Sequence, residues 1–113
     1  MITIYHNSRC SKSREGLKML EKSGRDFKVR EYLKEPLSKD EIRDLVVKLK
    51  VVPIQLVRKG EAIWKENYKD KDLGDEEIIQ ILSENPKLIE RPIIENEDKA
   101  VIGRPSSNID TIL

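Results

Sequence analysis

The hydrophobic period of this chain changes twice within its first 32 residues, and that change restricts the fold more than any other feature. Ile2 to Tyr5 is short, β-branched and mostly apolar, the composition of a buried strand. A loop, His6 to Cys10, leads into Ser11 to Lys22, where Leu17 and Leu20 recur at helical spacing beside Met19 and Gly24 supplies a stop. Phe27 to Tyr32 then alternates apolar and charged residues, the two-residue period of a half-covered strand. The opening therefore reads β-α-β. If both strands share a sheet and run parallel, the crossover between them is right-handed.

The middle of the chain is helical in pattern. Pro36 breaks the strand, and Ser38-Lys39-Asp40-Glu41 fits a capping box in which Glu41 reaches back to the cap. Ile42, Leu45, Val46 and Leu49 follow as one apolar stripe. Pro53 to Arg58 reads as a short helix opened by proline. Another helix starts near Asp75, with Ile78, Ile79, Ile81 and Leu82 facing inward, acidic residues at its positive end and Asn85-Pro86 at its close. Between them, Lys59 to Trp64 carries the lone tryptophan, read as a packing anchor.

The last third changes period again. Ile93 to Glu95 and Ala100 to Ile102 are short strands joined by the polar stretch Asn96 to Lys99, a hairpin and hence an antiparallel pair. Gly103-Arg104-Pro105 turns the chain, and Ser106 to Leu113 closes it as a small helix. The order β-α-β, helices, β-β, α belongs to the α/β class. It predicts a thioredoxin-like mixed sheet in a single domain spanning 1–113, with a helical insertion at about 36–88. A chain of 113 residues supports one core and is too short for two.

Composition narrows the function. Apolar residues are 37% and charged ones 38%, with five aromatics in all, so the core is built of Ile, Leu and Val. A formal net charge of +1 provides no basic footprint for nucleic acid. No apolar run approaches the ~18 residues that span a bilayer, and Met1 leads straight into Ile-Thr-Ile-Tyr with no secretory signal. One cysteine makes no internal disulfide, which fits a reducing, cytoplasmic setting. No metal site or tightly bound cofactor is expected.

That cysteine, Cys10, and the only histidine, His6, share one loop. A cysteine reacts as thiolate, and an ordinary thiol is only a few per cent ionised at neutral pH. Cys10 falls at a predicted helix start, where free N–H groups and the helix dipole favour negative charge. His6 is placed to carry positive charge or donate a hydrogen bond, and Arg9 and Arg14 are near in sequence. Ser13 occupies the second position of a C-x-x-C pattern, where it can donate to sulfur but cannot form a disulfide. The bland alternative is a small buried hydrophobe beside a polar loop residue. Elsewhere Arg58 follows a short apolar turn, and Arg91 and Arg104 each precede a proline, which pushes them toward extended geometry. Arginine there offers a planar fork to an oxyanion, although arginines are common in this chain and most are solvated surface charge.

Taken together, Ile-Thr-Ile-Tyr-His-Asn-x-x-Cys-x-x-Ser-Arg, Leu-Val-Arg-Lys, Asn-Pro-x-Leu-Ile-x-Arg-Pro-Ile-Ile and Gly-Arg-Pro-Ser resemble the glutaredoxin-coupled arsenate reductases almost end to end. The resemblance implies that Cys10 attacks arsenate, that His6 supports the thiolate and Ser13 is its neighbouring hydroxyl, and that Arg58, Arg91 and Arg104 bind the oxyanion. It also implies glutathione as co-substrate, a glutaredoxin as partner, and a cis Arg91–Pro92 bond. Two rivals share the superfamily. Spx-type regulators bind RNA polymerase and sense oxidation through C-x-x-C, a switch that Ser13 rules out at this loop. Glutathione-dependent thiol reductases or transferases use the same cysteine without arsenic, but their arginines drift where this chain keeps all three.

Overall fold

Two strands, β1 (Ile2–Tyr5) and β2 (Phe27–Arg30), pair in parallel, with Ile2 opposite Phe27 and Tyr5 opposite Arg30. The helix between them, α1, runs from Ser11 to Ser23 and stops at Gly24, whose φ of 72° is the left-handed geometry that glycine adopts without strain. The computed structural model describes residues 1–113 throughout. Beyond the second β-strand the chain returns to the sheet only at β3 (Ile93–Asn96), followed by β4 (Lys99–Ile102). These two form the expected antiparallel hairpin, and the four strands lie in the order β2-β1-β3-β4. β3 runs antiparallel to β1, with Tyr5 opposite Ile93. The result is the thioredoxin-like mixed sheet that the element order predicts.

The second strand is shorter and barer than its alternation suggests. Phe27 packs partly against the core, but Val29 on the same face is 45% exposed. β2 is the edge of the sheet, so cover from its neighbours runs out along it. The interior strands are better filled: all four residues of β1 are buried.

The chain divides into two compact units. The first joins residues 1–35 and 91–113, and its core is Ile2, Ile4, Leu20, Ile94 and Ile109, with Leu17 and Met19 packed against it. Ile109 comes from a 3₁₀ segment, Ser106–Ile112, rather than an α-helix. The second unit, residues 36–90, is built on α2 (Lys39–Leu49) and α4 (Asp75–Glu84). Ser38 accepts from the Glu41 N–H at 3.1 Å while Glu41 accepts from the Ser38 N–H at 3.0 Å, the predicted capping box. Ile42 and Leu45 from α2 and Ile78, Ile79, Ile81 and Leu82 from α4 supply buried apolar side chains. The Pro53–Leu56 segment is a single 3₁₀ turn. A short helix, α3 (Ala62–Asn67), buries Trp64, which anchors the segment as expected. No helix is long and apolar enough to cross a membrane.

Candidate active site

The loop after β1 is shaped by its own backbone. The His6 N–H donates to Arg30 O at 2.9 Å, carrying the parallel ladder one residue further. Asn7 then closes a tight turn, its carbonyl accepting from Cys10 N at 3.0 Å and its Oδ1 from Arg9 N at 3.0 Å. Cys10 leaves this turn with φ −100° and ψ 124°, which makes it the N-cap of α1. Its sulfur thus occupies the place where serine or aspartate usually accepts from the first free N–H groups. The first turn of α1 contains no acidic residue, whereas α2 carries Asp40 and Glu41 and α4 carries Asp75, Glu76 and Glu77. The positive end of α1 is therefore left to the thiol.

The thiol responds to that setting. Burial pushes its pKa up, but the backbone N–H groups of Ser13 and Lys12 and the adjacent Arg91 guanidinium outweigh it, and the net direction is below the ordinary thiol value. Ser13 acts on sulfur through its main chain. Its hydroxyl, fully buried, faces the other way and contacts His6 Nδ1 at 2.6 Å while accepting from the Asn7 N–H at 3.0 Å. This differs from the expected hydroxyl-to-sulfur contact, and the cause is helical geometry: the third residue of a helix offers its N–H to the cap.

His6 is buried as well, and burial lowers its pKa, with Arg14 adding to the effect and Glu31 opposing it. A neutral ring satisfies the network when Ser13 donates to Nδ1 and the ring proton sits on Nε2. Its link to the nucleophile runs through Ser13.

Arg91 reaches the thiol because of strand register. Tyr5 lies opposite Ile93, so the loop that follows β1 and the residues that precede β3 meet at one end of the sheet. The Arg91–Pro92 bond is cis. Arg91 Nε and Nη1 are buried and have no hydrogen-bond partner. At the same end, Ile93 pairs with Ile102, and the Gly103 N–H donates to Pro92 O at 2.8 Å. Continuing that register sets Arg104 across from Arg91, also before a cis proline. Arg104 itself is exposed. Arg58 belongs to the second unit, where its N–H donates to Leu88 O at 2.7 Å and its guanidinium pairs with Glu61. The structure thus brings Cys10, Ser13, His6 and Arg91 together at the head of α1 and sets Arg104 at the same hairpin end. No group of three His, Cys, Asp or Glu side chains is gathered to hold a metal.

Gly16, which sequence reasoning passed over, and Gly103, read there only as part of a turn, hold this end together. A Cβ on Gly16 would lie 3.1 Å from Pro92 Cγ, and one on Gly103 would lie 3.0 Å from the same atom. Both glycines let α1 and β4 close on the proline that follows Arg91. Gly16 left a signal in the sequence: glycine inside a helix costs about 1 kcal/mol relative to alanine, so its presence marks a close approach.

Comparison with known proteins places the chain in a family. The ArsC family model matches residues 5–112. An uncharacterized Escherichia coli K12 protein, YfgD, is 42% identical over 113 residues, covering 96% of this chain and 92% of its own length. A Haemophilus influenzae protein named arsenate reductase is 40% identical over 114 residues, with 99% and 98% covered. The solved structure of an arsenate reductase from Vibrio cholerae superposes with a TM-score of 0.94 at 38% identity, covering 99% of this chain and 97% of that one. With nearly the whole chain matched by family and relatives alike, the protein belongs to the ArsC family.

Proposed function

We propose that this protein is an arsenate reductase that uses Cys10 as its sole protein nucleophile and takes its second and third thiols from glutathione and a glutaredoxin. The observation that carries the reading is Arg91: two buried guanidinium nitrogens without a partner, next to a thiol biased toward thiolate. Leaving such donors unsatisfied costs about 1–3 kcal/mol each, a cost that a bound oxyanion removes. The relatives named arsenate reductase support the choice of oxyanion.

In this mechanism Arg91 and Arg104 neutralise the arsenate, which otherwise repels a thiolate. Arg58 takes the same role on the strength of the matching family pattern alone, and it must exchange Glu61 for substrate. Cys10 sulfur attacks arsenic, forming an S–As bond as an arsenic-bound hydroxyl takes up one proton and leaves as water. Glutathione sulfur then bonds to arsenic with loss of a second water. A glutaredoxin thiolate attacks that glutathione sulfur; the S–As electron pair returns to arsenic, which becomes trivalent, and the two external sulfurs leave as a mixed disulfide. Hydrolysis frees arsenite and regenerates the Cys10 thiol. His6 and Ser13 act as positioning residues that fix the turn at Asn7. The chemistry calls for a reducing compartment, which we take to be the cytoplasm, and we read the chain as one domain with a helical insertion at about 36–88.

Chromatographic measurement of arsenite formed from arsenate tests this directly. Product should require the protein, glutathione and glutaredoxin together, and omission of either thiol component should stop it. Arsenite formed at full rate without glutathione would rule out the external-thiol route.

A further inference from the structure

We infer that the cleft between the nucleophile loop and the turn after β2 is the docking site for glutathione, a proposal that rests on the external-thiol reading above. The cleft, about 220 Å³, is lined by His6 and Arg9 on one side and by Glu31, Leu33 and Lys34 on the other. Its walls are already formed. Asn7 Oδ1 and carbonyl hold the first turn, and Glu31 O accepts from the N–H groups of Lys34 at 3.0 Å and Glu35 at 2.9 Å in the second.

The chemistry of the lining matches one class of ligand. Glutathione has a carboxylate at each end, an ammonium beside one of them and a thiol in the middle. The cleft presents two cations, Arg9 and Lys34, and one carboxylate, Glu31. Leu33, 38% exposed between them, offers an apolar surface to the methylenes of the γ-glutamyl arm. Lys34 Nζ lies 3.6 Å from Glu31 Oε2 in an exposed pair. Such pairs contribute little, so opening it for the ligand's carboxylate and ammonium costs little. Arsenate and other simple oxyanions have no use for Glu31, which separates this cleft from the Arg91 end of the site.

Reach also fits. Arg9 adjoins Cys10 in the chain, one Cα step of about 3.8 Å. An extended tripeptide spans roughly 10 Å, long enough for a glutathione held by its ends here to extend its sulfur past the cleft toward Cys10.

Two measurements test the cleft. The first follows backbone amide shifts by NMR as S-methylglutathione, which has no free thiol, is added to the full chain. Saturable shifts at residues 6–9 and 31–34 are expected, and the double variant Arg9→Glu/Lys34→Glu should lose them. Absence of saturable shifts there, or shifts that survive the double variant, overturns the proposal. The second compares KM for glutathione with KM for uncharged 2-mercaptoethanol during arsenate reduction. The double variant should raise that ratio by about tenfold or more, with Arg9→Lys/Lys34→Arg restoring it; an unchanged ratio also overturns the proposal. The shifts need no turnover, so their appearance in a protein that reduces no arsenate would sink the reductase reading and leave the cleft standing.

Discussion

Cys10 and Arg91 share one electrostatic arrangement, and each can be tested at its own atoms. Thiolate absorbance at 240 nm, followed against pH, should show a Cys10 midpoint below the ordinary thiol value, since the helix N–H groups and Arg91 outweigh burial. Arg91→Ala should raise that midpoint and cut arsenate turnover by a few hundredfold, the usual consequence of losing one oxyanion donor, about 3–4 kcal/mol. A variant that turns over arsenate at the parent rate would show that Arg91 does not bind substrate. His6 makes a separate prediction. Its pKa in the folded chain lies below the ordinary 6.5, so the unfolded chain binds the proton more tightly. Its contribution to stability is complete above pH 6.5 and is lost as pH falls from there through the folded value. Urea midpoints measured from pH 8 to pH 5 should therefore drop more steeply in the parent than in His6→Gln. Parallel curves would mean that burial of the imidazole is not felt as a proton cost.

At the scale of elements, the site depends on how closely α1 and the β3–β4 hairpin approach Pro92. Gly16→Ala places a Cβ 3.1 Å from Pro92 Cγ and 3.3 Å from Ile109 Cδ1, so both neighbours must give by a few tenths of an ångström. Overpacking of this kind costs about 1–3 kcal/mol, against which the helix gains about 1 kcal/mol from alanine, and the displaced proline should also raise KM for arsenate through Arg91. Thermal unfolding and steady-state kinetics on the variant check both parts. In the second unit, Ser38→Ala removes one half of the capping box and should lower stability by about 1 kcal/mol in urea denaturation. The elements that announce themselves in the sequence are those with local causes: the Ser38–Glu41 box, the Gly24 stop, the Ile78–Leu82 stripe. α3 is silent because it has six residues and no side-chain cap at Glu61. The bareness of Val29 is silent too, since alternation shows a strand's two faces but not its place at a sheet edge.

At the scale of the molecule, the sequence marks candidate site residues without showing how they meet. His6, Cys10 and Ser13 lie within eight residues, so local spacing puts them in one turn. Arg91 lies 81 positions beyond Cys10 and reaches it only through the antiparallel register of β1 and β3, a nonlocal pairing that no window of sequence contains. The direction of the Ser13 hydroxyl was likewise hidden, because it is set by the competing partners His6 and Asn7. Cys10 is the only cysteine among the 113 residues, so the proposed two-electron reduction takes its further thiols from outside the chain. The most direct measurement is NADPH oxidation in an assay coupled through glutathione reductase, glutathione and glutaredoxin. The account predicts a rate that depends on arsenate and disappears in Cys10→Ser. An arsenate-independent rate, or none above the blank with Cys10 intact, would contradict it.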